Sequence, residues 1–220
     1  MKIGFAIAME NEYAPFLSRL GNPVSTEVSA GTEFCTYDKD GNQIILAKCG
    51  IGEIAAASAT ALLIGKYGCD RIVNFGLVGA LSGTPLSSLV LVKDVVHYDC
   101  DLTAFGSPLG KPAGLDLVYF PAELPSSGEL ASLPALRLAS GDKFISDTAL
   151  KEKLVSDFSA DICDMEGAGI ALVCARSSVP FTMVKLVSDA ADDGAAETFS
   201  ESKGKAFDKV VDLVLSLFRG

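Results

Sequence analysis

The sequence predicts an α/β fold in which a mostly parallel sheet is covered on both faces by helices. Two observations carry that expectation. Short apolar runs alternate along the chain with longer segments of helical composition, and several of those runs stop abruptly at glycine or an acid. The 220 residues suit one domain with a full-sized core, and 1–220 is read as a single unit without internal repeat or linker.

Residues 2–8 form a short apolar run that predicts a buried strand, and residues 10–20 a helix ended by Gly21-Asn22-Pro23. Residues 34–37 and 43–48 flank Asp38-Lys39-Asp40-Gly41-Asn42, a turn composition that makes the pair a hairpin. Residues 54–67 are an alanine-rich helix closed by Gly68, and residues 71–75 a buried strand leading into glycines. Residues 89–96 are another strand. From 103 to 132 proline and glycine content rises and periodicity fades, which predicts a long irregular segment of the kind that carries function in compact domains. A strand at 136–139, helices at 148–158 and 165–176, a strand at 181–187 and a last helix from about 200 to 218 complete the alternation.

Charge and cysteine usage exclude several classes. With 18 basic against 28 acidic side chains the net charge is −10, which argues against nucleic acid or an anionic membrane as partner. The first apolar run is too short, and meets acids too soon, for a secretory signal, and no run approaches the ~20 apolar residues of a membrane span. Six cysteines without a CxxC pair suit a reduced, cytoplasmic protein. His97 is the single histidine, so a histidine-rich metal site or a Ser-His-Asp triad elsewhere is excluded by counting; neither metal nor cofactor is expected.

The signal richest in chemistry is the stretch 183–193, where an apolar run stops at Ser188-Asp189 and Asp192 and Asp193 follow. In an α/β protein the carboxyl end of a strand faces the ligand crevice, so Asp189 is aimed at chemistry. Ala8-Met9-Glu10-Asn11-Glu12 and Asp164-Met165-Glu166-Gly167-Ala168 place more carboxylates at helix starts. Each acid also has a plain structural explanation: a loop cap for Asp189, and for Glu12 and Glu166 a first-turn position that the helix dipole favours by ~0.3–1 kcal/mol.

Together with Cys49-Gly50-Ile51-Gly52, Asp101-Leu102-Thr103-Ala104-Phe105-Gly106, Ser140-Gly141-Asp142-Lys143-Phe144-Ile145 and Val187-Ser188-Asp189-Ala190-Ala191-Asp192, these fragments resemble the methylthioadenosine/S-adenosylhomocysteine nucleosidases, and in the same order. That group lies within the purine nucleoside phosphorylase and uridine phosphorylase family. The resemblance runs nearly end to end, from Ile3 to the last helix. It implies a three-layer α/β/α sandwich around a twisted mixed, mostly parallel sheet, a homodimer, and a small-molecule nucleoside substrate. The implied reaction is hydrolysis of the N-glycosidic bond of a 5′-substituted adenosine, without cofactor, to adenine and the free sugar.

Breaking a purine–ribose bond develops positive charge on the sugar and negative charge on the base, so the leaving base must be protonated and the oxocarbenium-like centre stabilised. The resemblance makes Asp189 the general acid toward purine N7 and Glu12 the base that activates water. Glu166 then accepts hydrogen bonds from the ribose 2′- and 3′-hydroxyls, a task suited to an acceptor-only carboxylate. Ala8, Met9, Ile51, Met165 and Ser188 are implied to line the substrate. Phe144 stacks on the base, the Ile145 main chain meets the adenine edge, and Phe199 closes the site. Leu102 and Phe105 match a segment that reaches over the 5′-substituent from a neighbouring subunit.

Two positions depart from the pattern. Leu77 stands where a serine hydroxyl is typical, and Lys185 where an arginine is, a point charge in place of a planar fork. Both belong to the surroundings of the attacking water and imply slower hydrolysis or an altered substrate range. A phosphorylase of the same fold and a catalytically weak nucleoside-binding homologue stay open at this point. The first needs an arginine cluster, and the five arginines, at 19, 71, 137, 176 and 219, avoid the glycine-rich loops. Leu77 keeps the second open. The 5′-substituent, whether methylthio, homocysteinyl, deoxy or the larger group of an aminodeoxyfutalosine, is not specified by these residues.

Overall fold

The computed structural model describes residues 1–202 and 207–218. In chain order the strands are β1 (Lys2–Ile7), β2 (Ser25–Ser29), β3 (Thr32–Lys39), β4 (Asn42–Lys48), β5 (Arg71–Ala80), β6 (Leu89–His97), β7 (Tyr119–Pro121), β8 (Ala135–Ser140), β9 (Ile162–Asp164) and β10 (Phe181–Asp189). The α-helices are α1 (Glu10–Leu20), α2 (Glu53–Gly65), α3 (Thr148–Phe158), α4 (Gly167–Ser177), α5 (Ala195–Ser202) and α6 (Asp208–Leu215).

β1 lies parallel between β4 and β5, and β3 and β2 extend the sheet outward as antiparallel neighbours. On its other side β5 runs parallel to β10, which pairs antiparallel with β6; β6 and β8, and then β8 and β9, are parallel. β9 returns antiparallel to the end of β5, so β5, β10, β6, β8 and β9 close into a ring from which the other strands run out as an open, mixed sheet.

Alternation along β1 sorts its side chains between two layers. Ile3, Phe5 and Ile7 join Tyr13 and Phe16 of α1 and Val211, Val214 and Leu215 of α6, while Ala6 faces Ala56, Ala59 and Leu63 of α2 and Ala168, Ile170 and Ala171 of α4. Each buried large side chain of these layers contributes roughly 1.5–3 kcal/mol relative to exposure. The aromatic edge contacts Phe5–Phe16 at 5.5 Å, Phe16–Phe75 at 5.9 Å and Phe75–Phe207 at 5.7 Å tie the first layer together. Small residues bring α2 and α4 close on the second: a Cβ at Gly169 would lie 2.3 Å from the Glu53 carbonyl oxygen.

The expected alternation is present, with differences at element ends. β5 continues past Phe75 through Gly76 and Gly79 because β10 and β9 flank it there and supply its hydrogen bonds. β2 and β9 were not expected from pattern; one is almost wholly exposed and the other has three residues, too few for a period to show. The segment 103–132 is irregular as expected, apart from β7 and two single 3₁₀ turns. The expected last helix is two helices, α5 and α6, and its part at 203–206 lies outside the described residues. All six cysteines are free, and among the described residues no helix is long and apolar enough to cross a membrane.

Candidate active site

The carboxyl ends of β1, β5, β9 and β10 meet the loops before α2 and after β8 around a cavity of about 260 Å³. Ala8, Met9, Glu12, Ile51, Leu77, Phe144, Ile145, Met165, Glu166, Ser188, Asp189 and Phe199 all line it. Of the residues singled out in the sequence, Lys185 sits behind this lining, and Leu102 and Phe105 lie outside it. Sequence reasoning passed over Val78, Gly79, Lys143, Cys163 and Asp164, which complete the wall.

Glu12 turns back from the first turns of α1 and is 1% exposed. Its Oε2 accepts the Met9 N–H at 3.1 Å and its Oε1 the Leu77 N–H at 2.8 Å. The helix-start role and the inward aim are therefore one geometry, a carboxylate closing its own helix start while facing the cavity. Burial pushes its pKa up to about 7, against the pull of the Leu77 N–H and the Lys185 charge. Glu10, by contrast, points away and pairs with Lys48 at 2.8 Å.

Lys185 projects from β10 beneath this carboxylate. Its Nζ is 2.6 Å from Asp164 Oδ2, and both side chains are 1% exposed. Burial opposes its charge, but Asp164, Glu166 and Glu12 together hold its pKa above the ordinary lysine value. Gly76 leaves room for the arrangement, since a Cβ there would lie 3.3 Å from Glu12 Oε1 and 3.5 Å from Lys185 Nζ. The sequence did carry a signal for Asp164: two acids flanking Met165 at the end of a strand.

Glu166 stands just before α4, and its Oε1 accepts the Gly52 N–H at 2.9 Å. Gly52 has φ +101°, a conformation that L side chains rarely adopt, and it is what aims that N–H across the cavity wall. Burial and then the neighbouring Asp164 charge push the Glu166 pKa up to about 7.

Asp189 closes β10 and is 2% exposed. Its Oδ1 accepts the Ala191 N–H at 2.9 Å. Burial raises its pKa against the Ser188 hydroxyl and that N–H. The Ser188 hydroxyl has one proton and two oxygens in reach, the Val78 carbonyl at 3.1 Å and Asp189 Oδ2 at 2.7 Å. Gly79 is the reason Asp189 fits, because a Cβ there would sit 2.9 Å from Oδ1.

Most of the remaining lining is apolar. Phe144 and Phe199 meet edge to face with centroids 5.5 Å apart, one ring from the loop after β8 and the other from α5. Phe105 is 86% exposed on a 3₁₀ turn, Thr103–Phe105, whose first N–H is held by Asp101 at 2.9 Å. The arrangement offers two carboxyls held near neutral pKa on one side, a carboxyl suited to proton donation on another, and an aromatic slot between them.

Residues 2–219 match the family model of the phosphorylase superfamily. The chain is 34% identical over 230 residues to the 5′-methylthioadenosine/S-adenosylhomocysteine nucleosidase of Shewanella halifaxensis, covering 100% of this chain and 99% of that one. The nucleosidase of the same name from Helicobacter pylori, solved with a pyrrolidine that carries an aminopyrrolopyrimidine and a propynylthiomethyl group, superposes with a TM-score of 0.90 at 29% identity, covering 99% and 97% of the two chains. A futalosine hydrolase mutant of H. pylori superposes with a TM-score of 0.92 at 27% identity over 99% and 98%. On these matches the chain belongs to the phosphorylase superfamily, among the 5′-methylthioadenosine/S-adenosylhomocysteine nucleosidases.

Proposed function

We propose that this protein hydrolyses the N-glycosidic bond of a 5′-substituted adenosine such as methylthioadenosine or S-adenosylhomocysteine, releasing adenine and the free sugar. The observation that carries the reading is the convergence of Glu12, Glu166 and Asp189 on one cavity with an aromatic slot between them. Phe144 stacks on the base, the Ile145 main chain meets its edge, and Ala8, Met9, Ile51, Met165 and Phe199 enclose the sugar and its 5′-substituent. Glu166 accepts from the ribose hydroxyls. Glu12 takes a proton from water as the oxygen bonds to C1′; the C1′–N9 bond breaks, and Asp189, oriented by Ser188, gives its proton to N7. Leu77 and Lys185 flank the water, one through its main chain and the other as counter-charge to Glu12.

The arginines favour water over phosphate as the nucleophile. Arg19 pairs with Asp212, Arg71 with Glu123 and Arg137 with Asp94, and Arg176 bonds the Ala113 carbonyl; Arg219 lies outside the described residues. In our reading the enzyme works in the cytoplasm as a homodimer, and the exposed Leu102 to Phe105 segment covers the partner's 5′-substituent. Incubation with a panel of adenosine and inosine nucleosides, with and without phosphate, tests the reading. Free adenine is expected without phosphate; base release only with phosphate, with ribose-1-phosphate accumulating, would replace it by the phosphorylase.

A further inference from the structure

A second polar cluster lies behind the cavity wall, unused by the chemistry above. His97, at the end of β6, has Nε2 2.8 Å from Glu53 Oε2 and 2.8 Å from Asp99 Oδ1. Asp99 Oδ2 accepts the Asp142 N–H at 3.3 Å, and Asp142 Oδ1 accepts the Glu53 N–H at 2.7 Å. The four residues close a ring of hydrogen bonds, and each adjoins a part of the site. Glu53 follows Gly52, whose N–H holds Glu166. Asp142 leads into Phe144 and Ile145, and Asp99 into Leu102 and Phe105.

Charge balance sets the state of this ring. Three carboxylates meet one imidazole, and Glu53, 9% exposed at its side chain, needs a nearby cation to stay ionised. The bond to Glu53 raises the His97 pKa against the histidine's own burial, while burial raises that of Glu53 against the pull of His97. The other titratable groups facing the ring are acids: Asp99, Tyr98 and Cys100 after β6, Asp142 after β8, and Asp164 at the end of β9. His97 Nδ1 and Glu53 Oε1 are buried without a hydrogen-bond partner, so the shared Nε2 contact carries the coupling.

We propose that the His97 imidazolium is a positioning residue for the reaction: a proton-dependent clasp that holds the start of α2, the base-pocket loop and the segment leading to Phe105 in one arrangement. The proposal rests on the nucleosidase reading of the cavity. Loss of the proton, from the unpartnered Nδ1, leaves the Nε2–H in place but removes the charge that Glu53 and Asp99 share, and the repulsion between the two carboxylates loosens the start of α2 and with it the Gly52 N–H that orients Glu166. Glu12 and Asp189 are outside the ring, so the effect falls on KM more than on kcat. Coupled sites typically differ by five- to 150-fold, and KM is expected to rise by about five- to twentyfold as His97 titrates.

Because His97 is the only histidine, its imidazole Hε1 gives a single proton NMR signal in the intact protein. That signal is expected to titrate above the ~6.5 of a free histidine and to move higher when adenine is added, since linkage is reciprocal. In kinetics, His97→Gln should raise KM at low pH and flatten its pH dependence, while His97→Lys, a cation of higher pKa, should carry the low-KM plateau to higher pH. A midpoint at or below the free value, or one unmoved by adenine that demonstrably binds, overturns the clasp whether or not the variants fold. Loss of the titration on adding one equivalent of Zn²⁺ would put a metal where the proton is proposed, and also overturns it. Failure of both adenine and methylthioadenosine to bind sinks instead the nucleosidase reading on which the proposal stands.

Discussion

Lys185 and Asp164 form a buried ion pair, Nζ to Oδ2 at 2.6 Å, that places a counter-charge beside the buried carboxyls of the cavity. One ammonium faces Asp164, Glu166 and Glu12, so their proton inventory is set from beneath the site. Lys185→Met should leave these acids uncompensated and cost roughly 3–5 kcal/mol, as for other broken buried pairs. Urea denaturation at neutral pH measures it; recovery of stability at acid pH, where the acids are protonated, is expected in the same variant.

Leu77 gives Glu12 its main-chain N–H, which no side-chain change removes, while its side chain faces the cavity. Leu77→Ser adds a hydroxyl beside the proposed water without disturbing that bond. A hydrogen bond of ~0.5–1.5 kcal/mol realised in the transition state corresponds to a kcat gain of about two- to thirteenfold. Steady-state kinetics showing no gain in a folded variant would remove Leu77 from water positioning.

The pH profile follows from the two raised carboxyls. Glu12 must be ionised to act as a base and its pKa lies at about 7, so kcat/KM should rise with pH through that value. Glu166, also at about 7, steepens the rise. Asp189 acts in its protonated form, which burial favours, so its ionisation works against kcat/KM as pH rises. Glu12→Gln should abolish the acid limb along with most of the activity; persistence of that limb would assign it elsewhere.

Asp189→Asn keeps an oxygen for the Ala191 N–H and an amide donor for Ser188, so melting should change little. Turnover should fall by at least ~10², the usual loss for a general acid. Full turnover excludes Asp189 from proton transfer.

Gly169→Ala tests the packing that positions Glu53 and Gly52. Its Cβ would meet the Glu53 carbonyl at 2.3 Å, a backbone contact that cannot swing away. Overpacking of this kind costs ~1–3 kcal/mol, about 2–4 °C of Tm per kcal/mol in a chain of this size. An unchanged Tm would mean that α4 can shift without penalty.

Much of this architecture was legible in the sequence, because long periodic segments such as α1 and α3 carry their own start and stop signals and open close to where the pattern places them. The ring was not legible. It depends on β9, three residues long, and on β10 finding two partners, neither of which leaves a local trace. The acids at strand and helix ends announced the cavity, whereas the pairing of Lys185 with Asp164 and the His97 ring join residues far apart in sequence, whose meeting only tertiary structure reveals.

The closed ring also governs which strand edges the sheet leaves open. With β5, β6, β8, β9 and β10 paired around the ring, the outermost strands among the described residues are β2 and β7. β2 reads Ser-Thr-Glu-Val-Ser, with Glu27 clasped by Lys66 and Tyr67, and β7 is three residues long and ends in Pro121. Short, polar or proline-ended margins are poor templates for adding a strand, so the sheet is protected against edge-to-edge polymerisation.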